Sequence, residues 1–190
     1  MKLKKILKIT GLVVIVIIVV AVASMSVIIL DLMSYTATSS QTLTPSGTPV
    51  GHALVVYDPG VTGAAKSASE KIAGDLQANG YVVDLAGIRS GVANNTSMYD
   101  VIAIGGPIYG GNTSKSITSY LKMLAPPENA KIGVFAIGTS QFYDQDEASL
   151  NNETAWIQGD NPLCNIVIDR VIRGDEANND SMGFVTDLLK

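Results

Sequence analysis

The chain has 190 residues, a formal net charge of −4 at pH 7, one cysteine and one histidine. A single cysteine excludes an intrachain disulfide, and so few thiol and imidazole ligands argue against a metal site. From residue 51 onward nine Lys and Arg stand against sixteen Asp and Glu. This balance disfavours nucleic acid and anionic membrane surfaces as partners of that part, since phosphate contacts need clustered basic residues.

The first predicted element is an apolar helix. Residues 9–30 form a run of 22 residues without a formal charge. Such a run makes about 33 Å of helix, enough to cross a hydrocarbon core of roughly 30 Å. Basic residues precede it and the next one is Lys66, so the positive-inside rule places the N-terminus in the cytoplasm. We predict that residues 1–33 are a single-pass anchor in membrane lipid and that the C-terminal domain is extracytoplasmic. The preceding basic residues are Lys2, Lys4, Lys5 and Lys8.

A cleavable signal peptide is the alternative interpretation of the same segment. Ala21-Val22-Ala23 has the A-x-A form of a cleavage site. Cleavage there would leave the apolar residues 27–30 in water at the start of the mature chain, which favours an uncleaved anchor. Residues 34–50 are rich in Ser and Thr and have no charge and no hydrophobic period. Their composition predicts a flexible linker.

Residues 51–190 are predicted to form one domain of alternating strands and helices. Short, β-rich apolar runs are typical of strands covered on both faces, and apolar residues at helical spacing predict helices. The predicted strands are residues 53–57, 81–85, 101–104, 132–137 and 165–172, and the predicted helices are residues 66–79, 114–124 and 181–189. The polar stretch around Trp156 has only a poor helical pattern. Cys164 lies in an apolar, strand-like run, which predicts a buried small side chain.

This alternation predicts an α/β fold with right-handed crossovers and a doubly wound, five-stranded parallel sheet. Ligands bind such sheets beyond the carboxyl ends of the strands, where the strand order reverses. Glycine-bearing loops follow the first, third and fourth predicted strands, with the sequences DPGVTGAAKS, GGPIYGGNTS and GTSQFYDQ. We therefore expect a binding site where these three loops meet.

The first of these loops, residues 58–67, runs from a strand into a helix N-terminus. Exposed N–H groups and the positive end of a helix suit a phosphate. Gly60 and Gly63 permit close backbone approach, and Thr62 and Ser67 offer hydroxyls. The loop matches neither G-x-x-x-x-G-K-[ST] nor G-x-G-x-x-G, which disfavours nucleoside triphosphates and NAD bound in a Rossmann manner. A glycine-containing turn that binds nothing is the alternative.

The other two loops carry aromatic side chains. Tyr109 lies in the loop after the third predicted strand, and Phe142 and Tyr143 lie in the loop after the fourth. Two aromatic loops at one sheet edge can hold a flat ring between them by stacking, although a single aromatic is more often a packing residue. Together with a phosphate-type loop, they favour a planar cofactor that carries one phosphate.

Four segments of the domain, from about Ala53 to the C-terminus, resemble the flavodoxin family. The family's first strand, phosphate loop, helix and second strand are similar to VVYDPGVTGAAKSASEKIAGDLQANGYVVDLA. Its third strand and the loop over one flavin face resemble YDVIAIGGPIYGGNTSKSITSYL, and its fourth strand and opposite flavin loop resemble GVFAIGTSQFYD. Its last strand, Gly-Asp turn and final helix are similar to IVIDRVIRGDEANNDSMGFVTDLL. The order of the four segments is also that of the family.

The resemblance implies a flavodoxin-like sheet of order 2-1-3-4-5 and non-covalently bound FMN. Thr62 and Gly63 match the Thr-Gly of the family's phosphate loop. Tyr109 stands where an aromatic ring packs on the flavin, and Gly110 matches the glycine whose peptide meets flavin N5. Either Phe142 or Tyr143 would supply the second ring. The implied cofactor-binding residues are Gly60, Thr62, Gly63, Ala64, Ala65, Ser67, Pro107, Ile108, Tyr109, Gly110, Gly111, Thr139, Ser140, Phe142 and Tyr143.

The chain departs from the family at Ala64-Ala65, where the phosphate loop commonly continues with Asn-Thr. Two side chains that would bond the phosphate are therefore missing. The implied function is a membrane-anchored, electron-transferring flavodoxin-like protein with unidentified redox protein partners, and it is more readily a carrier than a substrate-specific enzyme. Two alternatives share the fold: an FMN-dependent reductase or oxidase, for example of the quinone type, and a flavin-free interaction module.

Overall fold

The computed structural model describes residues 2–33, 37–174 and 177–190. Helix α1 spans Lys2–Met33. Within it, Lys8–Ile28 has a mean hydropathy of 3.0, and the segment is long and apolar enough to cross a membrane. Membrane spans and signal sequences both have an N-terminal apolar helix of this kind, so the structure is compatible with the predicted anchor.

The rest of the described chain alternates strands with helices. The strands are β1 (Ser40–Leu43), β2 (Gly51–Tyr57), β3 (Tyr81–Gly87), β4 (Val101–Tyr109), β5 (Asn112–Thr113), β6 (Lys131–Gly138) and β7 (Ile166–Arg173). The helices are α2 (Ala64–Ala78), α3 (Lys115–Met123), α4 (Tyr143–Asp160) and α5 (Ala177–Leu189), with 3₁₀ turns at Val92–Asn94 and Ser140–Phe142.

One sheet runs through the domain in the order β1-β3-β2-β4-β6-β7, with β5 paired to β4. The pairs β2–β3, β2–β4, β4–β6 and β6–β7 are parallel. These five parallel strands have the order 2-1-3-4-5 when they are counted along the chain, which confirms the predicted doubly wound topology. The order reverses between β2 and β4, because the chain leaves β2 for β3 on one side and returns to place β4 on the other.

Strand β1 differs from the sequence prediction, which gives no regular structure to residues 34–50. It pairs antiparallel with β3 and extends the sheet at its edge, with Ser40 opposite Ala86 and Leu43 opposite Val83. Backbone hydrogen bonds form this pairing, so it needs no hydrophobic pattern in residues 40–43. Residues 34–36 of the predicted linker lie outside the described part.

Both faces of the sheet are covered by helices. One core joins β2, β4 and β6 to α3 and α4, and includes Leu54, Ile102, Ile132, Ile117 and Ile157. The other core joins the alternate residues of the same strands to α2 and α5, and includes Val55, Ala103, Phe135, Ile72 and Phe184. Because both faces are buried, the strands are continuously apolar. Cys164 is fully buried in the first core, as predicted, and burial raises the pKa of its thiol to about 11.

Helix α4 is longer than the polar sequence around Trp156 indicates. Its buried positions are Asp146, Leu150, Thr154 and Ile157, so half of the face that packs on the sheet is polar. The structure satisfies both polar groups outside the helix: the Thr139 N–H donates to Asp146, and the Thr154 hydroxyl donates to the Asp169 carboxylate on β7. The helix is therefore stabilised by tertiary contacts that its own periodicity does not reveal.

Candidate functional site

The candidate site is a cavity of about 730 Å³ at the carboxyl ends of β2, β4 and β6. It lies beside the point between β2 and β4 where the strand order reverses, which is where open α/β sheets bind ligands. Its volume falls within the roughly 300–1,000 Å³ that is usual for cofactor sites. The loops after β2, β4 and β6 all contribute to its wall.

Most residues predicted for the site lie in this wall. They are Thr62, Ala64, Ala65, Pro107, Ile108, Tyr109, Gly110, Gly111, Thr139 and Phe142. Four others lie outside the wall although their loops form it: Gly60, Gly63, Ser67 and Tyr143. The side chain of Ser140 lies outside the described part of the structure.

The structure adds wall residues that the sequence analysis missed. They are Ile137, Gly138, Gln145, Asp146, Ser149 and Gly174. Gly138 and Gln145 are the first and last residues of the predicted loop GTSQFYDQ, and Ile137 directly precedes it in β6, so taking the whole loop with one more residue would have included all three. Asp146 and Ser149 are on α4, and they were missed because the sequence does not predict that helix.

Asp58 fixes the loop after β2 to the start of α3. Its side chain is fully buried and its carboxylate accepts hydrogen bonds from the Gly60 N–H at 3.1 Å and the Ser114 hydroxyl at 2.7 Å. The Ser116 hydroxyl donates to the same carboxylate. Two of the three predicted loops are therefore joined beneath the cavity by one buried acid.

Tyr109 joins the same two loops on the cavity side. Its hydroxyl accepts a hydrogen bond from the Val61 N–H at 3.0 Å, which turns the ring toward the loop that holds Gly60. A Cβ at Gly60 would lie 2.8 Å from Pro107 Cγ and 2.9 Å from the Tyr109 hydroxyl. The loop after β2 therefore approaches Pro107 and Tyr109 too closely for any side chain at residue 60.

The N-terminus of α2 forms one end of the cavity. Gly63 is its N-cap, with a φ of 73°, and the first hydrogen bond of the helix runs from the Ser67 N–H to the Gly63 carbonyl at 3.1 Å. The N–H groups of residues 64–66 therefore precede the hydrogen-bonded ladder. Ala64 and Ala65 line the cavity, so this end combines free space with the positive end of a helix.

The loop after β4 is a tight hairpin. Gly110 and Gly111 have φ values of 59° and 80° and connect Tyr109 to its antiparallel partner Asn112. Two consecutive positive φ angles are the requirement of a type I′ turn, which favours glycine at both positions. The Thr113 hydroxyl donates to Glu153 of α4 at 2.7 Å, so the hairpin is tied to the opposite side of the cavity.

The structure separates the two aromatic candidates after β6. Phe142 lines the cavity and is 50% exposed. Tyr143 begins α4 and packs on the first core, with the Arg173 guanidinium 5.0 Å from its ring centre. Burial and the nearby Glu147 and Asp180 carboxylates raise the pKa of Tyr143. Phe142 is therefore the ring available to a ligand.

Among the described residues of the cavity wall, Asp146 is the acidic one. Its side chain is only 7% exposed, and a Cβ at Gly138 would lie 2.8 Å from its Oδ2. Burial raises the pKa of Asp146, and a hydrogen bond from the Thr139 N–H opposes that shift. The end of β7, next to the wall residue Gly174, is tied to α5. Arg173 donates to both oxygens of Asp180 at 3.0 Å and lowers the pKa of that carboxyl.

The two glycines of the loop after β2 provide a matched test of this packing. Both have positive φ, 63° at Gly60 and 73° at Gly63, but a Cβ at Gly63 would meet nothing within 4 Å. Gly63→Ala should cost about 1 kcal/mol for left-handed backbone, whereas Gly60→Ala should cost about 1–3 kcal/mol more for the clash. Urea unfolding of both variants measures the difference, and equal costs would contradict the close approach at Gly60.

No protein-family model matches the sequence, and no match to a curated protein is found. Solved structures do match. A flavodoxin from Streptococcus pneumonia has a TM-score of 0.54 and 17% identity, covering 73% of this chain and 97% of that one. Oxidised Flavodoxin 2 from Bacillus cereus has a TM-score of 0.55, also with 17% identity and the same coverage. A short-chain flavodoxin associated with a bacterial microcompartment has a TM-score of 0.52 and 13% identity, over 73% of this chain and 95% of that one.

These matches span nearly the full length of each flavodoxin, so the domain has the complete flavodoxin fold. The candidate cavity lies at the carboxyl edge of that fold, beside the reversal of strand order. The chain therefore consists of an apolar N-terminal helix followed by an α/β domain of flavodoxin-like architecture.

Proposed function

We propose that this chain is a membrane-anchored, flavodoxin-like electron-transfer protein that binds FMN non-covalently outside the cytoplasm. The observation that carries the proposal is the composition of the cavity of about 730 Å³. One helix N-terminus and two aromatic loops meet around it, which matches the two parts of a flat cofactor with a single phosphate.

The described residues fit FMN at both ends. The N–H groups of residues 65 and 66 at the start of α2 would hold the phosphate, with the Thr62 hydroxyl, which accepts from the Ala64 N–H at 3.3 Å, beside them. Tyr109 and Phe142 come from loops on either side of the cavity and would contact the ring. The backbone of Gly110 and Gly111 would lie along the ring edge, since neither residue has a side chain to obstruct it.

When bound, FMN supplies the redox chemistry, and the protein sets the conditions under which it operates. The hydrogen bond between Val61 and Tyr109 holds the tyrosine ring in place before the cofactor arrives. Asp146 presents a carboxyl group in the wall, and as a carboxylate it would disfavour additional negative charge on bound FMN. Together with the acidic surface of the domain, it would lower the reduction potential of that FMN.

A flavin-free interaction module is the second candidate, and one observation favours it. Ala64 and Ala65 form the phosphate end of the wall and offer no side-chain hydrogen bonds. Each missing hydrogen bond to a charged group removes about 1.5–3 kcal/mol. FMN binding to this chain therefore depends on backbone N–H groups and on the helix dipole.

Titration of the full chain in detergent with FMN tests the proposal, with quenching of flavin fluorescence as the readout. We expect saturable quenching. Phe142→Ala should weaken FMN binding about 5- to 30-fold, corresponding to roughly 1–2 kcal/mol of lost ring contact. Trp156→Ala is the matched control: Trp156 is 55% exposed, similar to Phe142, but lies on α4 outside the wall and should leave the affinity unchanged.

Absence of quenching in the full chain would support the flavin-free module and refute the proposed function. Equal weakening by Phe142→Ala and Trp156→Ala would show that the cavity is not where FMN binds.

A further inference from the structure

The segment that connects α1 to the domain enters the domain at the edge that carries the cavity. Strand β1 is antiparallel to β3, so it begins where β3 ends, at Ser40 opposite Ala86. Before it, the Ser39 carbonyl accepts a hydrogen bond from the Gly87 N–H and the Ala37 carbonyl accepts one from the Arg89 N–H, both at 2.8 Å. The carboxyl ends of β3 and its parallel neighbours form the cavity edge. The chain therefore arrives from α1 at that edge.

This pairing leaves a short connection to the apolar helix. Helix α1 ends at Met33, and the hydrogen bonds to the domain begin at Ala37. Between these two residues the chain can span at most about 14 Å, even when fully extended. The composition of residues 34–50 predicts a long flexible linker, but residues 37–43 are bound to the sheet edge.

The connection between α1 and the domain is too short for the opposite edge of the domain to lie next to the end of α1 in place of the cavity edge. Strand β2 has seven residues, which corresponds to about 23 Å between the two edges at roughly 3.3 Å per residue. The turn containing Asn129 precedes β6 and lies at that far edge. If α1 spans a bilayer, the cavity edge is the one held near its surface.

Basic side chains at the cavity edge suit contact with the bilayer surface. Lys66 borders one hollow with Ser39 and Ser40, where it also pairs with Glu70 at 3.8 Å, and Arg89 and Lys115 border another. These three basic residues follow β2, β3 and β4, on the half of the edge next to β1. Although the domain as a whole is acidic, this half presents cations to which phospholipid phosphates are attracted.

We propose that the cavity edge of the domain docks on the phospholipid headgroups of the bilayer that holds α1, so that the cavity faces the membrane. The inference rests on the membrane anchorage in the proposed function, and it adds the direction from which the site is reached. A redox partner that meets the cavity in this arrangement resides in the membrane, whereas a freely diffusing protein would meet the far edge.

Fluorescence quenching in vesicles tests the orientation. The full chain, carrying either Val61→Cys or Asn129→Cys, is labelled with a fluorophore and reconstituted in phosphatidylcholine vesicles that contain a nitroxide-headgroup lipid. Val61 is half exposed at the cavity edge, and Asn129 is exposed at the far edge. The buried Cys164 leaves the added cysteine as the reactive one.

We expect quenching at residue 61 to be at least about threefold stronger than at residue 129, because a strand length of roughly 23 Å separates the two edges. Inserting about 20 Gly and Ser residues between Met33 and Ala37 adds a coil of roughly 25 Å and should reduce that ratio markedly. Equal quenching at the two positions, or stronger quenching at residue 129, would overturn the inference.

Flotation of the vesicles separates the possible failures. A chain that does not float with lipid lacks the anchor, which refutes both the orientation and the membrane part of the proposed function. A chain that floats and shows no difference in quenching refutes the orientation alone. Because no flavin is needed for this readout, failure of FMN binding would leave the result unchanged.

Discussion

Asp58→Ala is expected to destabilise the domain by about 3 kcal/mol, because it leaves buried hydrogen-bond donors without their acceptor. The carboxylate is fully buried and accepts from Gly60, Ser114 and Ser116. The two serine hydroxyls lie 3.0 Å apart and can partly satisfy each other, which keeps the cost below the sum of three hydrogen bonds. Urea unfolding of the full chain in detergent measures the loss.

The same substitution should also weaken FMN binding, since Asp58 joins the loop after β2 to the start of α3. Asp58→Asn keeps the shape and one acceptor oxygen, and it should fall between the wild type and the alanine variant. Asp144→Ala is the control for charge: Asp144 is exposed in the first turn of α4 and should cost less than about 1 kcal/mol. Similar losses for Asp58→Ala and Asp144→Ala would show that the buried network is not what stabilises the loop.

Gly105→Ala is expected to cost about 4 kcal/mol or more, a large part of the roughly 5–15 kcal/mol that stabilises a domain. Gly105 pairs with Phe135 across β4 and β6. A Cβ there would lie 2.3 Å from the Phe135 carbonyl oxygen and 2.4 Å from its ring. The ring cannot move away, because Phe135 is fully buried and packs edge-to-face on Phe184 at 5.7 Å. Thermal unfolding by circular dichroism should show a fall of more than about 10 °C.

Gly74→Ala is the matched control for Gly105→Ala. Gly74 lies within α2, and a Cβ there would meet nothing within 4 Å. Alanine at this helical position should stabilise the domain by about 0.5–1 kcal/mol. A loss below about 1 kcal/mol for Gly105→Ala, which is the lower limit for overpacking, would contradict the close approach of β4 and β6.

The close packing at Gly105 is part of a wider feature beneath the cavity. Strand β4 carries Gly105 and Gly106 just before the cavity residues Pro107 and Ile108. At Gly106 a Cβ would lie 2.9 Å from Ile117 of α3 and 3.1 Å from Asp58. Small residues at this end of β4 therefore let the neighbouring strand, the loop after β2 and α3 converge beneath the cavity.

Much of the fold could be predicted because its signals are local. The central strands β2, β4 and β6 are largely uninterrupted apolar runs, and α2, α3 and α5 have apolar residues at helical spacing, so the alternation of strands and helices is sufficient to predict a doubly wound sheet. The three loops of the site could also be located, because each is a glycine-bearing segment directly after a strand. The structure places all three around one cavity.

The remaining features depend on partners that are distant along the chain. Strand β1 is held by the backbone of β3, and α4 buries Asp146 against Thr139 and Thr154 against Asp169 of β7, so neither element has a readable hydrophobic pattern. The choice of Phe142 over Tyr143 depends on where α4 begins. The sequence by itself determined the architecture and the loops, through local apolar periodicity. Only the tertiary structure decided which edge faces α1 and which side chains line the cavity, because those follow from hydrogen bonds between residues tens of positions apart.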